Sequence, residues 1–142
     1  MANVSHLAPG LDLEPVDREM ISTNAVSKGD VVALTSTVTS SGRFTTVVQP
    51  TTAQLESGIF GVALEDIAAG ETGTIRFRGY VQALITGTPA ALARVAANNT
   101  SDSLGVTGAA EKAIGIMTET GTNGNLHLVL FDGLAGFGTD VA

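Results

Sequence analysis

TGTIRFRGYVQALIT, residues 72–86, is the stretch that decides the fold. Apolar and polar residues alternate along most of it, and successive side chains of a β-strand point to opposite faces of a sheet. One face collects Ile75, Phe77, Val81, Ala83 and Ile85, and the other collects Thr74, Arg76, Arg78, Tyr80 and Gln82. The stretch therefore predicts a long strand with one face in a core, and Gly79 in its middle predicts a bend.

The sequence around this strand repeats at a spacing of 54 residues. The run IFGVALE, residues 59–65, aligns with AIGIMTE, residues 113–119, and with no gap Phe77 and Gly79 align with Phe131 and Gly133. A shorter echo joins GDVVAL, residues 29–34, to GYVQAL, residues 79–84. Apolar residues and turn glycines recur, whereas nucleophiles, bases and metal ligands do not. We expect two related β-units, at about 29–79 and 79–133.

The rest of the chain reads as short strands separated by turns. Strand-like runs cover residues 20–26, 31–39, 43–49, 59–64, 113–118 and 126–131. The turn GTNG, residues 121–124, favours a hairpin between the last two runs because Asn-Gly tolerates positive φ angles. Residues 89–97 start with proline and are rich in alanine, which favours a short helix, although a segment this short also fits a strand. Residues 51–56 fit one helical turn. The fold class that follows is all-β with minor α, a small β-barrel or sandwich.

The two ends of the chain differ from its middle. Residues 1–18 contain Pro9, Gly10 and Pro15, which interrupt regular structure and predict an extended N-terminal arm. Residues 19–133 form a single β-rich domain, and the glycine-rich residues 134–142 predict a flexible tail. The arm either frays or docks apolar residues on a neighbouring subunit. The arm contacts expected for docking are His6, Leu7, Leu11 and Leu13.

Composition excludes several classes of function. The chain has 142 residues, enough for one core, and a formal net charge of −7 with five Arg and two Lys scattered along it. Nucleic-acid binding needs clustered cations, so a nucleic-acid partner is not expected. The absence of Cys removes disulfides and thiolate zinc sites, which fits folding in a reducing cytoplasm. No apolar run is long enough to span a membrane, so no membrane partner is expected.

The sequence offers few residues for catalysis or for metal and cofactor binding. The chain has two histidines, His6 and His127, whereas a zinc site needs three or four converging ligands. Glu65 and Asp66 are adjacent, so on a strand they point to opposite faces, which disfavours a catalytic pair. GLAGFG, residues 133–138, lacks the Lys-Ser/Thr of a phosphate-binding loop. We therefore predict no catalytic residue, no metal and no cofactor.

Arg76 and Arg78 share the polar face of the longest predicted strand. Such a pair commonly keeps a sheet soluble. In a chain with so few cations, it is also a candidate contact for an acidic partner.

GVALEDIAAGETGTIRFRG, residues 61–79, preceded by KGDV at residues 28–31, resembles the capsid decoration, or cement, proteins of tailed bacteriophages. The resemblance covers residues 20–85 and returns more weakly in residues 112–133. It implies a virion protein, made in the host bacterial cytoplasm, that binds the major capsid protein on the outer surface of the mature head. It also implies a homotrimer, often at three-fold sites, that stabilises the capsid and is not an enzyme.

Other structural roles stay open at this point. A head-fibre, tail or baseplate adaptor would carry the same inert β-core. A glycan- or host-binding module displayed on the virion would need exposed aromatic rings for sugar stacking. The chain has no Trp and a single Tyr, Tyr80, which disfavours that role.

Overall fold

The computed structural model describes residues 10–11, 13–50, 58–97, 102–108 and 111–138. These residues form nine β-strands and no helix, which confirms the all-β prediction and gives a barrel rather than a sandwich. The strands are β1 (Val16–Ser22), β2 (Val31–Leu34), β3 (Thr46–Val48), β4 (Phe60–Ala63), β5 (Thr72–Leu84), β6 (Arg94–Ala97), β7 (Leu104–Val106), β8 (Gly115–Met117) and β9 (Leu126–Asp132).

The first unit is a closed five-stranded barrel. Its strand order is β1-β3-β2-β4-β5, and β1 closes the circle by pairing with β5 in antiparallel register. The β1–β3 pairing is parallel and joins two pairs of residues, Ile21 with Thr46 and Ser22 with Val47. We call this β1–β3 junction the seam of the first unit, because it is the one parallel pairing among the described strands of the circle.

The second unit follows the same path with its own strands. It begins with the second half of β5, residues 79–84, which pairs with β9, and continues through β8 and β6 to β7. A parallel bridge between Ile85 and Leu104 forms its seam. The 54-residue shift also relates the two hairpins, since Val62 pairs with Arg76 and Ile116 pairs with Leu130. Strand β5 therefore belongs to both units. The first unit ends and the second begins at Gly79, whose φ is 116°.

One glycine of each unit lies where the sheet faces the interior. A Cβ atom on Gly115 would sit 2.7 Å from Cγ1 of Val129, and a Cβ on Gly61 would overlap Cγ2 of Ile75. Ile75 and Val129 are themselves 54 residues apart. Both units therefore use a glycine at the same place so that a branched side chain fills the interior.

Two hydrophobic clusters form the core, and the second extends into the first unit. The first cluster includes Met20, Val32, Ile75 and Phe77. The second includes Val95, Leu104 and Phe131 from the second unit together with Val31, Ala33, Phe60 and Val62 from β2 and β4. Because alternate residues of β2 and β4 enter different clusters, these two strands are buried on both faces and join the two units.

Several sequence-based expectations need correction. The helix predicted over residues 89–97 is wrong, because Leu92 turns the chain with a φ of 68° and residues 94–97 form β6. The first strand begins at Val16 rather than at residue 20, so the last three residues assigned to the arm pair with β5. A short strand, β7, lies in a segment for which the sequence predicted no strand. The helical turn expected at residues 51–56 lies outside the described residues.

The end of the described chain is tied to the second unit. The N–H of Phe137 donates to the carbonyl oxygen of Ala113 at 2.7 Å, and the N–H of Ala113 donates to that of Gly138 at 2.9 Å. The guanidinium of Arg94 also donates to the carbonyl oxygen of Phe137. Residues 134–138 therefore run beside the start of β8. Within the described ranges, no helix has the length and apolar character to cross a membrane.

Candidate interaction surface

Arg76 lies on the outer face of β5 and binds its own chain. Its Nε and Nη2 donate to the two carboxylate oxygens of Asp17 at 2.8 and 2.9 Å, and its Nη1 donates to the carbonyl oxygen of Tyr80 at 2.7 Å. The hydrogen bond from Arg76 lowers the pKa of Asp17, against the smaller opposing effect of burial. This bidentate pair fastens β1 to β5.

Arg78 binds across the junction of the two units. Its Nη2 donates to Oδ2 of Asp132 at 3.0 Å, while Oδ1 of Asp132 accepts the N–H groups of Leu134 and Ala135. Burial alone would raise the pKa of Asp132, but the donors from Ala135, Arg78 and Leu134 together lower it. Arg76 and Arg78, the two arginines predicted to contact a partner, thus each form an ion pair within the chain. Their role in binding a partner stays a prediction.

The predicted arm contacts are only partly visible. His6 and Leu7 lie outside the described residues. Leu11 is 71% exposed, whereas Leu13 is half-buried. The hydroxyl of Tyr80 donates to the carbonyl oxygen of Leu11, which holds this part of the arm beside the second half of β5. The arm therefore presents the Leu11 side chain outward from a fixed backbone position.

An apolar groove lies beside the seam of the first unit. It occupies about 770 Å³ between β1 and residues 39–45, and we call it the seam groove. Its apolar lining comprises Val16, Met20, Leu34, Phe44, Ile59, Phe77 and Leu134. The exposed cations Arg18 and Arg43 also line it. The groove therefore combines a hydrophobic floor, continuous with the first core cluster, with a positively charged rim.

A projecting hairpin forms one wall of the seam groove. It spans residues 35–45 and is held by a bridge between Val38 and Phe44 and by the N–H of Thr39 donating to the carbonyl oxygen of Arg43. Val38 is 49% exposed and Phe44 is 53% exposed. The matching connection in the second unit, residues 98–103, is shorter. Among the described residues, a hairpin with two exposed apolar side chains is seen in the first unit.

The residues weighed for chemistry have structural partners. His127 contacts Glu119 through Nδ1 at 2.5 Å, and its Nε2 accepts the N–H of Thr122 at 2.9 Å. A carboxylate oxygen of Glu65 accepts the N–H of Thr74, and one of Asp66 accepts the N–H of Lys28. In the described part of the chain, no three His, Asp or Glu side chains are grouped to hold a metal ion.

Comparison with known families assigns this double β-unit. The sequence profile of the phage cement proteins matches residues 16–131, from the first residue of β1 to the last but one of β9. The chain belongs to the phage cement protein family. The resemblance noted in the sequence is thereby confirmed, and this cement protein is a structural protein of the phage virion.

A solved structure shares the fold of the cement protein. The head fibre gp8.5 N base of bacteriophage phi29 superimposes with a TM-score of 0.61 at 10% sequence identity, over 88% of this chain and 99% of that chain. At this identity the likeness concerns the fold alone. A search of curated proteins found no match to the chain.

Sequence reasoning about the cement protein missed the seam groove. Its lining comes from five separate parts of the chain, and no local pattern brings Val16 near Phe44 or Leu134. One signal was present, namely two large apolar residues, Val38 and Phe44, inside a stretch otherwise made of Thr, Ser, Gly and Arg. Single exposed apolar residues are common on protein surfaces, but Val38 and Phe44 are neighbours across the hairpin, and exposed apolar residues that adjoin one another can mark a contact surface.

Proposed function

We propose that this cement protein binds the major capsid protein on the outer surface of the mature phage head, as a homotrimer, and stabilises the head. The observation that carries the proposal is the family match, which covers both β-units from β1 to β9. The match assigns the whole described core to a cement architecture, so the proposed activity is adhesion by the fold itself.

The charge of the protein supports the outer surface over the interior. Packaged DNA is a dense polyanion, and a chain with net charge −7 lacks the clustered cations needed to replace its counterions. An acidic protein inside the head would be repelled by the genome. On the outside, the same charge limits non-specific association with nucleic acid.

Repetition supplies the strength that a small surface lacks. The exposed apolar side chains of the described residues include Leu11, Val38 and Phe44, which suit modest contacts rather than one large interface. When several such contacts are linked through one oligomer on a lattice, each later contact forms at a high effective concentration. A homotrimer on a regular capsid surface would thereby resist expansion and rupture.

The test is a titration of purified full-length protein onto expanded, undecorated heads, with bound copies counted after co-sedimentation. The proposal predicts saturation at a fixed ratio to the major capsid protein. Unexpanded precursor heads serve as the control, since the proposed site belongs to the mature surface. An absence of binding to expanded heads at any concentration would contradict the proposal.

A second candidate function is the base of a head fibre. The likeness to the phi29 head fibre base, which covers 99% of that chain, favours it. The same titration separates the two roles. A fibre base would support a projection from the head surface, whereas a cement protein would lie on the lattice without one. Electron microscopy of the saturated heads would show which pattern the bound protein follows.

A further inference from the structure

We propose that the seam groove binds the arm segment 11–14 of a second copy of this chain, so that copies exchange arms. The proposal deepens the homotrimer part of the proposed function, because it names the contact between copies. It is tested with the purified protein alone, and its failure is therefore distinguishable from a failure to bind heads.

The edge of β1 that faces the groove has backbone groups that no described strand pairs with, although the carbonyl oxygen of Asp17 accepts a hydrogen bond from Nη1 of the neighbouring Arg18. The N–H groups of Ile21 and Thr23 donate to the carbonyl oxygens of Thr45 and Val47, so odd-numbered residues here point toward β3. By the same alternation, Asp17 and Glu19 direct their N–H and C=O groups into the groove. Among the described residues, strand pairing on this side of β1 is confined to Ile21 and Ser22. An open strand edge is a template for an added strand.

In the second unit, a segment from another part of the chain lies between the two strands beside the seam. The N–H of Leu84 donates to the carbonyl oxygen of Gly29 at 2.9 Å, and the N–H of Val31 donates to that of Asp102 at 2.9 Å. Residues 29–31, which comprise the turn residue Gly29 and the start of β2 in the first unit, thus lie between β5 and the start of β7. Leu84 in the second unit is equivalent to Ile21 in the first. Leu84 pairs with Leu126 and Ile21 pairs with Thr72, and these two partners are related by the 54-residue shift. The seam of the first unit has no such insert among the described residues.

Charge and hydrophobicity match the groove to the arm. The arm segment reads Leu11-Asp12-Leu13-Glu14, so in extended form it has one leucine face and one carboxylate face. The groove offers an apolar floor to the first face and Arg18 and Arg43 to the second. Glu19 also lines the groove, and its carboxylate accepts the hydroxyl of Thr74 on β5.

The arm that fills the groove must come from another copy. Val16 pairs with Arg78, so the residues before Val16 continue along β5 beyond the end of the groove. The contact between Tyr80 and the carbonyl oxygen of Leu11 fixes this direction. To enter its own groove, the segment would have to reverse at Pro15 and break that contact. In its observed place, the exposed Leu11 side chain is available to a neighbour.

The experiment measures self-association of the full chain by sedimentation equilibrium over a range of concentrations. Leu11→Ser removes the apolar anchor, and Phe44→Ser opens the wall of the groove. Each is expected to weaken association roughly ten- to hundredfold, the scale of moving one large apolar side chain out of water. The matched controls Leu92→Ser and Val106→Ser alter residues that are 80% and 65% exposed and lie away from the groove, and association should be unchanged.

A mixture of the two variants makes the test specific. A Leu11→Ser copy keeps a working groove, and a Phe44→Ser copy keeps a working arm, so the two variants in a labelled mixture should associate with each other more tightly than either variant associates with itself. A wild-type protein that stays monomeric at all concentrations would overturn the proposal. Variants that associate like wild type would also overturn it, and Phe44→Ser weakening head binding alone would assign the groove to the capsid instead.

Discussion

The two β-units have the same strand order, but their seams and edges are covered differently. In the second unit, residues 29–31 fill the seam and residues 134–138 lie against the start of β8, so its edges meet the rest of the chain. In the first unit, the seam is closed by two residue pairs and opens into an apolar groove beneath the hairpin of residues 35–45. The edges of the second unit therefore pack within the molecule, whereas the contacts that we propose with a partner lie on the arm and the first unit.

The difference shows how a repeated architecture divides its roles. In repeat proteins, an end unit that lacks a neighbour must be capped or must bind something. Here the tail after β9 supplies a cap on one side. The first unit keeps an arm, a hairpin and a groove instead. The following predictions test this division, from the largest expected effect to the smallest.

The largest effect is expected at Phe60, which belongs to a strand of the first unit but packs in the core of the second. Phe60→Ala should lower the free energy of unfolding by about 3–5 kcal/mol, because a fully buried ring leaves a cavity. Calorimetry should show one transition at a lower temperature, since both units lose packing. A separate transition that remains at the wild-type temperature would contradict the shared core. Phe44→Ala, which alters a half-exposed ring, is the control.

The two ion pairs on β5 should differ in importance. Asp132 is 7% exposed and accepts three donors, whereas Asp17 is 33% exposed. Asp132→Ala should cost about 2–3 kcal/mol of unfolding free energy, and Asp17→Ala about 1 kcal/mol or less. Chemical denaturation of both variants at neutral pH measures the difference. Equal losses of unfolding free energy would show that the Arg78–Asp132 pair stabilises the fold no more than the Arg76–Asp17 pair.

These two carboxylates also set a pH dependence. The folded-state pKa of each is lowered, so the stability it contributes is fully present above the unfolded pKa of about 4 and is lost as the pH falls through the folded pKa. The difference between wild type and Asp132→Asn should therefore shrink on acidification. A difference that stays constant down to strongly acidic pH would contradict the role of the charge.

The glycines inside the two units should respond alike. Gly61→Ala and Gly115→Ala each force a methyl group against Ile75 or Val129 and should cost about 1–3 kcal/mol. Gly105→Ala is the control, because its Cβ would lie 3.8 Å from the nearest backbone oxygen. Thermal melts of the three variants compare the effects. If Gly115→Ala lowered the melting temperature and Gly61→Ala did not, the interior of the first unit would be less tightly packed than that of the second.

The smallest effect, and a stabilising one, is expected at Asp30. Burial raises the pKa of this carboxyl, with the nearby charges of Asp102 and Asp66 acting in the same direction and the N–H of Ser27 opposing them. The penalty for charging Asp30 is absent below the unfolded pKa of about 4 and grows as the pH rises through the folded pKa. Asp30→Asn should therefore raise stability at neutral pH by about 1 kcal/mol or less.

Asparagine keeps an oxygen that can accept the N–H of Ser27, which Asp30 binds at 2.8 Å. The gain should vanish in acid, where wild-type Asp30 is already protonated. Melting temperatures at neutral and acidic pH measure it. A variant less stable than wild type at neutral pH would show that the negative charge itself is needed in the turn.

Local patterns predicted the parts of the fold that depend on local physics. The alternation in residues 72–86 matches the buried and exposed faces of β5, because a strand at the centre of two units has one consistently buried face. The spacing of 54 residues anticipated hairpins with equivalent pairings, since both interiors need the same glycine. The turn at residues 121–124 lies between β8 and β9, and Gly124 has a φ of 82°.

Long-range contacts decided what the sequence could not show. Residues 89–97 read as a helix from alanine content, yet pairing with β7 and β8 outweighed that weak propensity. The start of β1 is polar, so only its pairing with β5 identifies it as a strand. The shorter echo aligned β2 with the second half of β5, whereas β6 holds the place of β2 in the second unit. The seam groove arises from segments that no local pattern connects.

The most direct test of the cement function is DNA release on heating. Filled mature heads lacking the protein would be compared with the same heads after saturation with it, and released DNA would be followed with a fluorescent dye. The account predicts that saturated heads retain DNA to a higher temperature, in proportion to occupancy. Release at the same temperature from bare and fully saturated heads would contradict it.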